Sequence, residues 1–269
     1  MYDDIPLPDG FYLAVTAFLG LVLGSFATAL AYRVPRDISI LKKARSACTS
    51  CGRNLTALDL VPLFSWLALR GRCRGCGAKI GWQYPLIELA TLSLCLAFYF
   101  RFGFQPPQIF FFFALAPLVA AIVAIDIEYK IIPDSLNLAM LGAGIGMLAG
   151  NALQSPDAVG FIVAKGGEGL AAAILYVAVS LGLRQAIMIW RKKDALGWGD
   201  VKFFAVAGFW LGLNPDSAAY LMLVAGLIGI FLAIVWQKIR KEAEFPFGPA
   251  ILLAFIAMLL WQGPVFLLQ

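Results

Sequence analysis

Two aspartates and four cysteines carry the chemistry available to this sequence. Asp126 lies in Ile125-Asp126-Ile127-Glu128-Tyr129-Lys130-Ile131-Ile132-Pro133-Asp134, and Asp200 lies in Gly197-Trp198-Gly199-Asp200-Val201-Lys202. Both stand at the ends of apolar runs, where ionisable side chains are functional candidates by default. Two aspartates brought together can share one proton, so that one acts as base toward water and the other as acid toward a carbonyl or a leaving amine. Such a pair hydrolyses a peptide without histidine, and this chain has none. Ser-His-Asp machinery, an HExxH zinc helix and histidine metal ligands are therefore excluded. On the residues alone a second reading stands beside the pair: each aspartate caps a helix or pairs with Lys130 or Lys202. Gly197 and Gly199 let the backbone turn and approach closely before Asp200. Asp134 precedes Ser135 and a new apolar run, so its simplest role is helix N-capping, with shaping of the site as the other. Glu128 reads as solvated.

The cysteines form a second constellation, Cys48-Thr49-Ser50-Cys51 and Cys73-Arg74-Gly75-Cys76. Each C-x2-C turn points two sulfurs at one place, and two such turns complete a tetrahedral shell of four sulfurs suited to zinc. Gly52 and Gly75 are expected at the tight turns of these knuckles, with Gly77 following the second pair. A disulfide framework would need an oxidising compartment, and a thioredoxin-like redox pair would need only one such motif. The metal's expected role is structural, because the polar segment 33–85 has little core of its own. Cys95 sits in an apolar run and reads as packing.

The elements that position these residues follow from composition. Of 269 residues 61% are hydrophobic and 14% charged, with a mean hydropathy of +0.84. Soluble domains average about 45–50% apolar and about 25% charged, so the chain reads as an all-α polytopic membrane protein. Apolar runs predict helices at 11–32, 86–104, 107–126, 135–151, 169–190, 201–213, 217–237 and 248–266, about eight spans. Lys165 and Glu168 interrupt the stretch 152–168, which is the hardest to place. No cleavable signal is evident, since Asp3, Asp4 and Asp9 replace the usual basic start. Of the 21 cations, all but Arg101 and Lys165 fall on one side of an eight-span layout. The positive-inside rule makes that side cytoplasmic and puts both termini outside. Cations around the cysteines are expected as that inside signal, with attraction of anionic lipid or an acidic cofactor as a further possibility. Gly20 with Gly24, and Gly142, Gly146 and Gly150, predict close helix packing. Phe110–Phe113 predicts a lipid-facing or packing surface. The expected organisation is a first transmembrane helix (11–32), a cytoplasmic four-cysteine, zinc-ribbon-like insertion (33–85) and a seven-helix membrane core (86–266).

Taken together, the motifs resemble a known family. Gly197-x-Gly199-Asp200, with Asp126 upstream of Ile132-Pro133-Asp134, resembles the type IV prepilin peptidases, aspartyl proteases of the GxGD type. Gly24-Ser25-Phe26, Tyr32-Arg33-Val34-Pro35, Tyr84-Pro85 with Glu88, and Phe247-Gly248-Pro249 are similar to the family's other motifs, in the same order. The cysteine loop is similar to that of the longer bacterial members and is absent from the shorter archaeal ones. The resemblance implies that Asp126 and Asp200 are the catalytic pair and that Gly197 and Gly199 position the second. It implies removal of a short basic leader after a glycine, at the cytoplasmic face of the inner membrane, from pilin or pseudopilin precursors. It also implies methylation of the new N-terminus from S-adenosylmethionine, although no residue can be matched to methyl-donor contact. The expected surroundings are a lipid bilayer and protein substrates, with no nucleic acid. Two alternatives remain at this point: a peptidase that does not methylate, and a transporter with a regulatory zinc-ribbon loop, which would place its polar site near the bilayer midplane.

Overall fold

The computed structural model describes residues 9–40, 45–192, 196–242 and 244–267. Asp3, Asp4, Lys42, Lys43 and Lys193, used above for the signal and charge readings, lie outside them. Most of the described residues are helical, with no strand among them beyond two isolated bridges. In chain order the helices are α1 (Asp9–Arg33), α2 (Phe64–Ala68), α3 (Gln83–Phe102), α4 (Gln108–Tyr129), α5 (Asp134–Ala152), α6 (Ala158–Phe161), α7 (Gly167–Arg191), α8 (Trp198–Leu211), α9 (Pro215–Arg240) and α10 (Gly248–Gln262).

Every apolar run became a helix, with ends shifted by polar residues that still suit the last turns. Five segments are long and apolar enough to cross a membrane: Gly10–Arg36, Gln83–Phe102, Gln108–Tyr129, Ala158–Trp190 and Asp216–Arg240. The helices α5, α8 and α10 have 19, 14 and 15 residues, the last two shorter than the roughly 20 that a straight crossing needs. The protein is a multi-pass membrane protein. Its helices leave Ile174, Leu227, Ile230 and Phe231 mostly exposed, a surface that suits lipid and would be a liability in water. The stretch 152–168 resolves into helix from Ala158 onward. Asp157 accepts the Gly160 N–H at the start, a π turn over Ile162–Gly166 follows, and Lys165 pairs with Glu168 one turn on at 3.4 Å.

The chain divides into two compact units, residues 1–124 and 125–269, with the boundary inside α4. In the first, α1 and α3 meet at the predicted small residues: a Cβ on Gly24 would stand 2.8 Å from the Glu88 Cα, and one on Gly20 3.1 Å from the Leu92 Cα. Cys95 is fully buried there, as packing requires. Phe112 stacks on Phe98 and Phe102, whereas Phe110 is exposed, so the Phe run serves both packing and the outer surface.

In the second unit α8 is the central helix, buried among α5, α7 and α10. Polar groups inside it are matched: the Trp210 indole donates to the Met140 carbonyl at 3.0 Å, and Gln262 donates to the Leu211 carbonyl at 2.9 Å. Apolar surroundings make such bonds costly to leave unmade. Of the predicted glycine face, Gly142 meets no neighbour within 4 Å, whereas Gly144 is the residue against Trp210, where a Cβ would stand 2.9 Å from the indole nitrogen.

Candidate active site and metal centre

The site in the second unit is assembled from three helix ends. The helix α4 runs one turn past Asp126 and closes with the Lys130 N–H on the Asp126 carbonyl at 2.8 Å, Lys130 adopting the left-handed conformation common after a helix. The chain then crosses Ile131–Pro133 to α5. Gly199, in the first turn of α8, lies directly on that crossing, where a Cβ would meet the Ile132 backbone oxygen at 3.1 Å. This contact ties the Asp126 segment to the Asp200 segment, and the two carboxylates stand within electrostatic reach of each other.

Each carboxylate is anchored by one glycine N–H. Asp126, 4% exposed, accepts the Gly248 N–H on Oδ2 at 2.8 Å from the start of α10. Asp200 accepts the Gly197 N–H on Oδ2 at 3.0 Å, as the third residue of α8. The fixed oxygen sets the orientation of each group and leaves the other oxygen for chemistry. Gly248 was matched above only as part of a motif and given no role. Its signal in the sequence is a glycine just before Pro249, where a helix starts with its N–H groups unused. A Cβ there would stand 2.7 Å from the Asp126 Oδ2. The buried carboxylate would have to leave its position to make room. Gly248→Ala is therefore expected to lower kcat for any reaction that uses the Asp126 carboxylate by roughly tenfold or more, the cost of a misplaced group, with KM nearly unchanged. Steady-state kinetics on both proteins checks this.

The capping reading of the aspartates holds in part. Asp200 does satisfy an N-terminal N–H of α8, but neither nearby lysine neutralises the pair. Lys130 bonds Glu242 at 3.0 Å, and Lys202 bonds both oxygens of Asp134 at 2.7 and 2.8 Å. The N-capping role expected for Asp134 is corrected: Pro133 holds the cap position and makes no side-chain cap, and Asp134 is the first helical residue, turned to Lys202. Proline fixes its own φ near −65° and brings no side-chain acceptor, so with Pro133 at the cap the helix starts at Asp134, one residue earlier than expected. Both members of the Asp134–Lys202 pair are more than half exposed, so Lys202→Gln is expected to change unfolding stability by less than about 1 kcal/mol, read from denaturation in detergent. Glu128 is exposed.

The cysteine segment, in the first unit, consists of two copies of one knuckle. In the first, the Gly52 N–H bonds the Cys48 carbonyl at 2.9 Å and the Cys48 N–H bonds the Arg53 carbonyl at 2.9 Å. In the second, Gly77 to Cys73 and Cys73 to Ala78 repeat these bonds at 2.9 and 2.8 Å. Gly52 and Gly77 both have φ +71°, where only glycine is unstrained. The expectation that Gly75 is the second turn glycine is thereby corrected. Gly75 instead donates to the Cys73 Sγ at 3.4 Å, and a Cβ on it would press on Arg53.

All four sulfurs lie within 4.8 Å of one another, and those of Cys48 and Cys76 are 3.9 Å apart. A tetrahedral zinc–thiolate centre with bonds of about 2.3 Å has sulfurs about 3.8 Å apart. The backbone N–H groups of Cys51 and Ser50 draw the Cys48 thiol down to about 6, while the neighbouring sulfurs of Cys51, Cys73 and Cys48 push Cys76 up to about 11, so close thiols ionise one before another; the thiolate is the form that binds metal. The residues fit zinc in both geometry and donor chemistry. Asp59, missed in the sequence, joins the knuckles. Its carboxylate, 5% exposed, takes Arg53 at 2.7 Å and Arg74 at 3.0 Å, and also the Thr56 N–H and hydroxyl. The Thr56 N–H and hydroxyl, with the two arginines, hold its carboxyl below the usual carboxylate range. The pattern Thr56-x-x-Asp59 was the available signal, a helix-start motif.

Comparison with known proteins matches residues 18–102 to the bacterial peptidase A24 N-terminal domain and residues 111–236 to the type IV leader peptidase family. The chain is 33% identical to a prepilin leader peptidase/N-methyltransferase of Burkholderia pseudomallei (strain 1026b), over 97% of this chain and 89% of that protein. It is 33% identical to the protein of the same name from Bacillus subtilis (strain 168), over 89% and 90%. It is 32% identical to a type 4 prepilin-like proteins leader peptide-processing enzyme of Escherichia coli O78:H11, over 91% and 92%. No solved structure matches it. With a buried aspartate beside a Gly-x-Gly-Asp helix start, and such likeness along nearly its whole length, the chain belongs to the type IV leader peptidase family, a family of aspartic peptidases.

Proposed function

We propose that this protein removes the leader from type IV prepilins or pseudopilins with the pair Asp126 and Asp200, and that it methylates the N-terminus so exposed. The observation that carries the reading is that each aspartate is held by one glycine N–H on one oxygen, with no bond to the other oxygen among the described residues. With one proton between them, the ionised carboxylate takes a proton from water, and the hydroxide formed adds to the scissile carbonyl carbon. The protonated partner donates to the carbonyl oxygen. Collapse of the tetrahedral adduct breaks the C–N bond as the carboxyl protonated by water gives that proton to the leaving nitrogen and its partner takes the proton of an adduct hydroxyl, so the pair returns to its starting charge. Gly197, Gly199 and Gly248 act as positioning residues, and Asp134 shapes the site through Lys202.

Cys48, Cys51, Cys73 and Cys76 would hold a structural zinc ion that orders segment 33–85, and residues 86–266 would form the peptidase core. The charge distribution supports an inner-membrane setting with both aspartates and the cysteines facing the cytoplasm, where an untranslocated leader lies. S-adenosylmethionine would supply the methyl group when bound. Membership of a peptidase family removes the ground for the transporter reading. Incubating the purified protein with a prepilin, with and without S-adenosylmethionine, tests the proposal by mass spectrometry. Leader loss is expected in both reactions and an added methyl only with the donor. Leader loss without any methylation would leave the peptidase alone, and an intact prepilin in both reactions would overturn the reading.

A further inference from the structure

Helix α2, between the two cysteine knuckles of the first unit, turns an apolar face outward. Phe64 and Leu67 stand three positions apart, on one side of the helix, and are 64% and 62% exposed. Trp82, whose ring lies 4.2 Å from that of Trp66 in α2, is 69% exposed. From Trp82 the exposed face runs on along α3 through Leu86 and Leu89, the i, i+4, i+7 spacing of one helical stripe. The apolar face of α2 is thus continuous with the outer surface of a helix long and apolar enough to cross a membrane.

Hydrogen bonds fix the height of α2 along α3. At its start the Leu63 N–H donates to the Glu88 Oε2 at 2.7 Å. Glu88 lies five residues past Gln83, the first residue of α3, so at 1.5 Å per residue it stands about 7.5 Å inside the helix end. Leu63 holds φ +59° to make this bond, a conformation that residues with a Cβ rarely take. At the other end the Ile80 N–H donates to the Gly71 carbonyl at 2.7 Å, and the Trp66 indole donates to the Ile80 carbonyl at 3.2 Å. Ile80 precedes α3, so α2 slants from beside the second turn of α3 to a level beyond its end. Arg70 and Gly71 reverse the chain there at φ +52° and +64°. Arg70 and Arg72 are exposed at that outer level.

Apolar side chains at the inner level and arginines at the outer one reproduce the polarity gradient of a bilayer boundary. Interfacial helices sink their apolar face about 5–10 Å below the head groups, the depth that the Glu88 bond gives α2. Tryptophan rings favour that same level, and arginines just outside it meet anionic head groups. A protein partner would require neither this gradient nor continuity with the outer stripe of α3. We infer that α2, together with Trp82, is a membrane-interface anchor: Phe64 and Leu67 lie in the lipid leaflet beside α3, and Arg70 and Arg72 reach the head groups. The anchor holds the cysteine segment down on the bilayer surface instead of leaving it free in water.

The test is photo-cross-linking in a membrane. Full-length protein carrying benzoylphenylalanine in place of Phe64, Leu67 or Leu86, one at a time, is reconstituted into vesicles of phosphatidylethanolamine and phosphatidylglycerol and irradiated, and the adducts are identified by mass spectrometry. Lipid adducts are expected at positions 64 and 67 as at 86, the reference within the spanning helix. Lipid adducts at 86 alone, or adducts at 64 and 67 that join two copies of the chain, would overturn the anchor. So would adducts there that pass from lipid to a prepilin when one is added. Amide hydrogen exchange over residues 63–69 in the same vesicles gives a second measurement without a probe. Loss of two large apolar side chains from lipid should speed that exchange by roughly tenfold or more in the double variant Phe64→Gln, Leu67→Gln. Equal exchange in wild type and double variant would also overturn it.

Discussion

Replacing Asp126 or Asp200 with Asn is expected to stop leader removal while leaving the helices in place. An asparagine side chain keeps a carbonyl oxygen that can accept the Gly248 or Gly197 N–H, so the bonds that orient each group at 2.8 and 3.0 Å survive. What is lost is the ionisable oxygen. At position 126 the change also removes a charge from a site that is 4% exposed, which relieves a burial cost rather than adding one. Folding should therefore be retained or improved in both variants. General acid–base catalysis by one group contributes roughly 10²–10⁴-fold, and cleavage should fall by at least that much in each. Timed cleavage of a purified prepilin, with helix content followed by circular dichroism, checks both parts.

The second large effect is expected at the cysteines. Two knuckles of a few residues each, joined by Asp59 and two isolated bridges, bury too little to hold their own shape. Metal binding then supplies folding energy of the order of 10 kcal/mol. Purified protein is expected to carry about one zinc per chain, as a site of four thiolates requires. Cys48→Ser or Cys73→Ser should lose most of it. Loss of metal should also open Arg53, Arg70, Arg72 and Arg74 to trypsin, which gives a readout separate from activity. Zinc well below one per chain in wild type, or undiminished zinc in Cys48→Ser, would remove the metal centre from the account.

Much of this could be read from the chain because the information is local. Apolar runs long enough to cross a bilayer fix helices whatever surrounds them, and the C-x2-C spacing fixes where sulfurs converge. What could not be read depends on contacts between distant segments. Gly248 donates to Asp126 across 122 positions, and Lys202 reaches Asp134 across 68. No periodicity encodes either pair. Gly75 and Gly77 are indistinguishable in sequence for a different reason: they flank Cys76 on either side, and only the bond from the Gly77 N–H back to the Cys73 carbonyl shows which one turns. Gly142 stands open because small residues permit close packing without requiring it, and the bulky Trp210 meets Gly144 instead. Lys165 and Glu168 read as an interruption, yet as neighbours three positions apart they satisfy each other within a helix.

The central claim is that Asp126 and Asp200 act as one catalytic unit, and a double-mutant cycle on leader removal tests it most directly. Single-turnover rates are compared for wild type, Asp126→Asn, Asp200→Asn and the double variant. Groups that share one proton are lost together, so the double variant is expected to be about as slow as either single one, a strongly non-additive result. Retained cleavage in either single variant, or losses that multiply in the double variant, would contradict the pair.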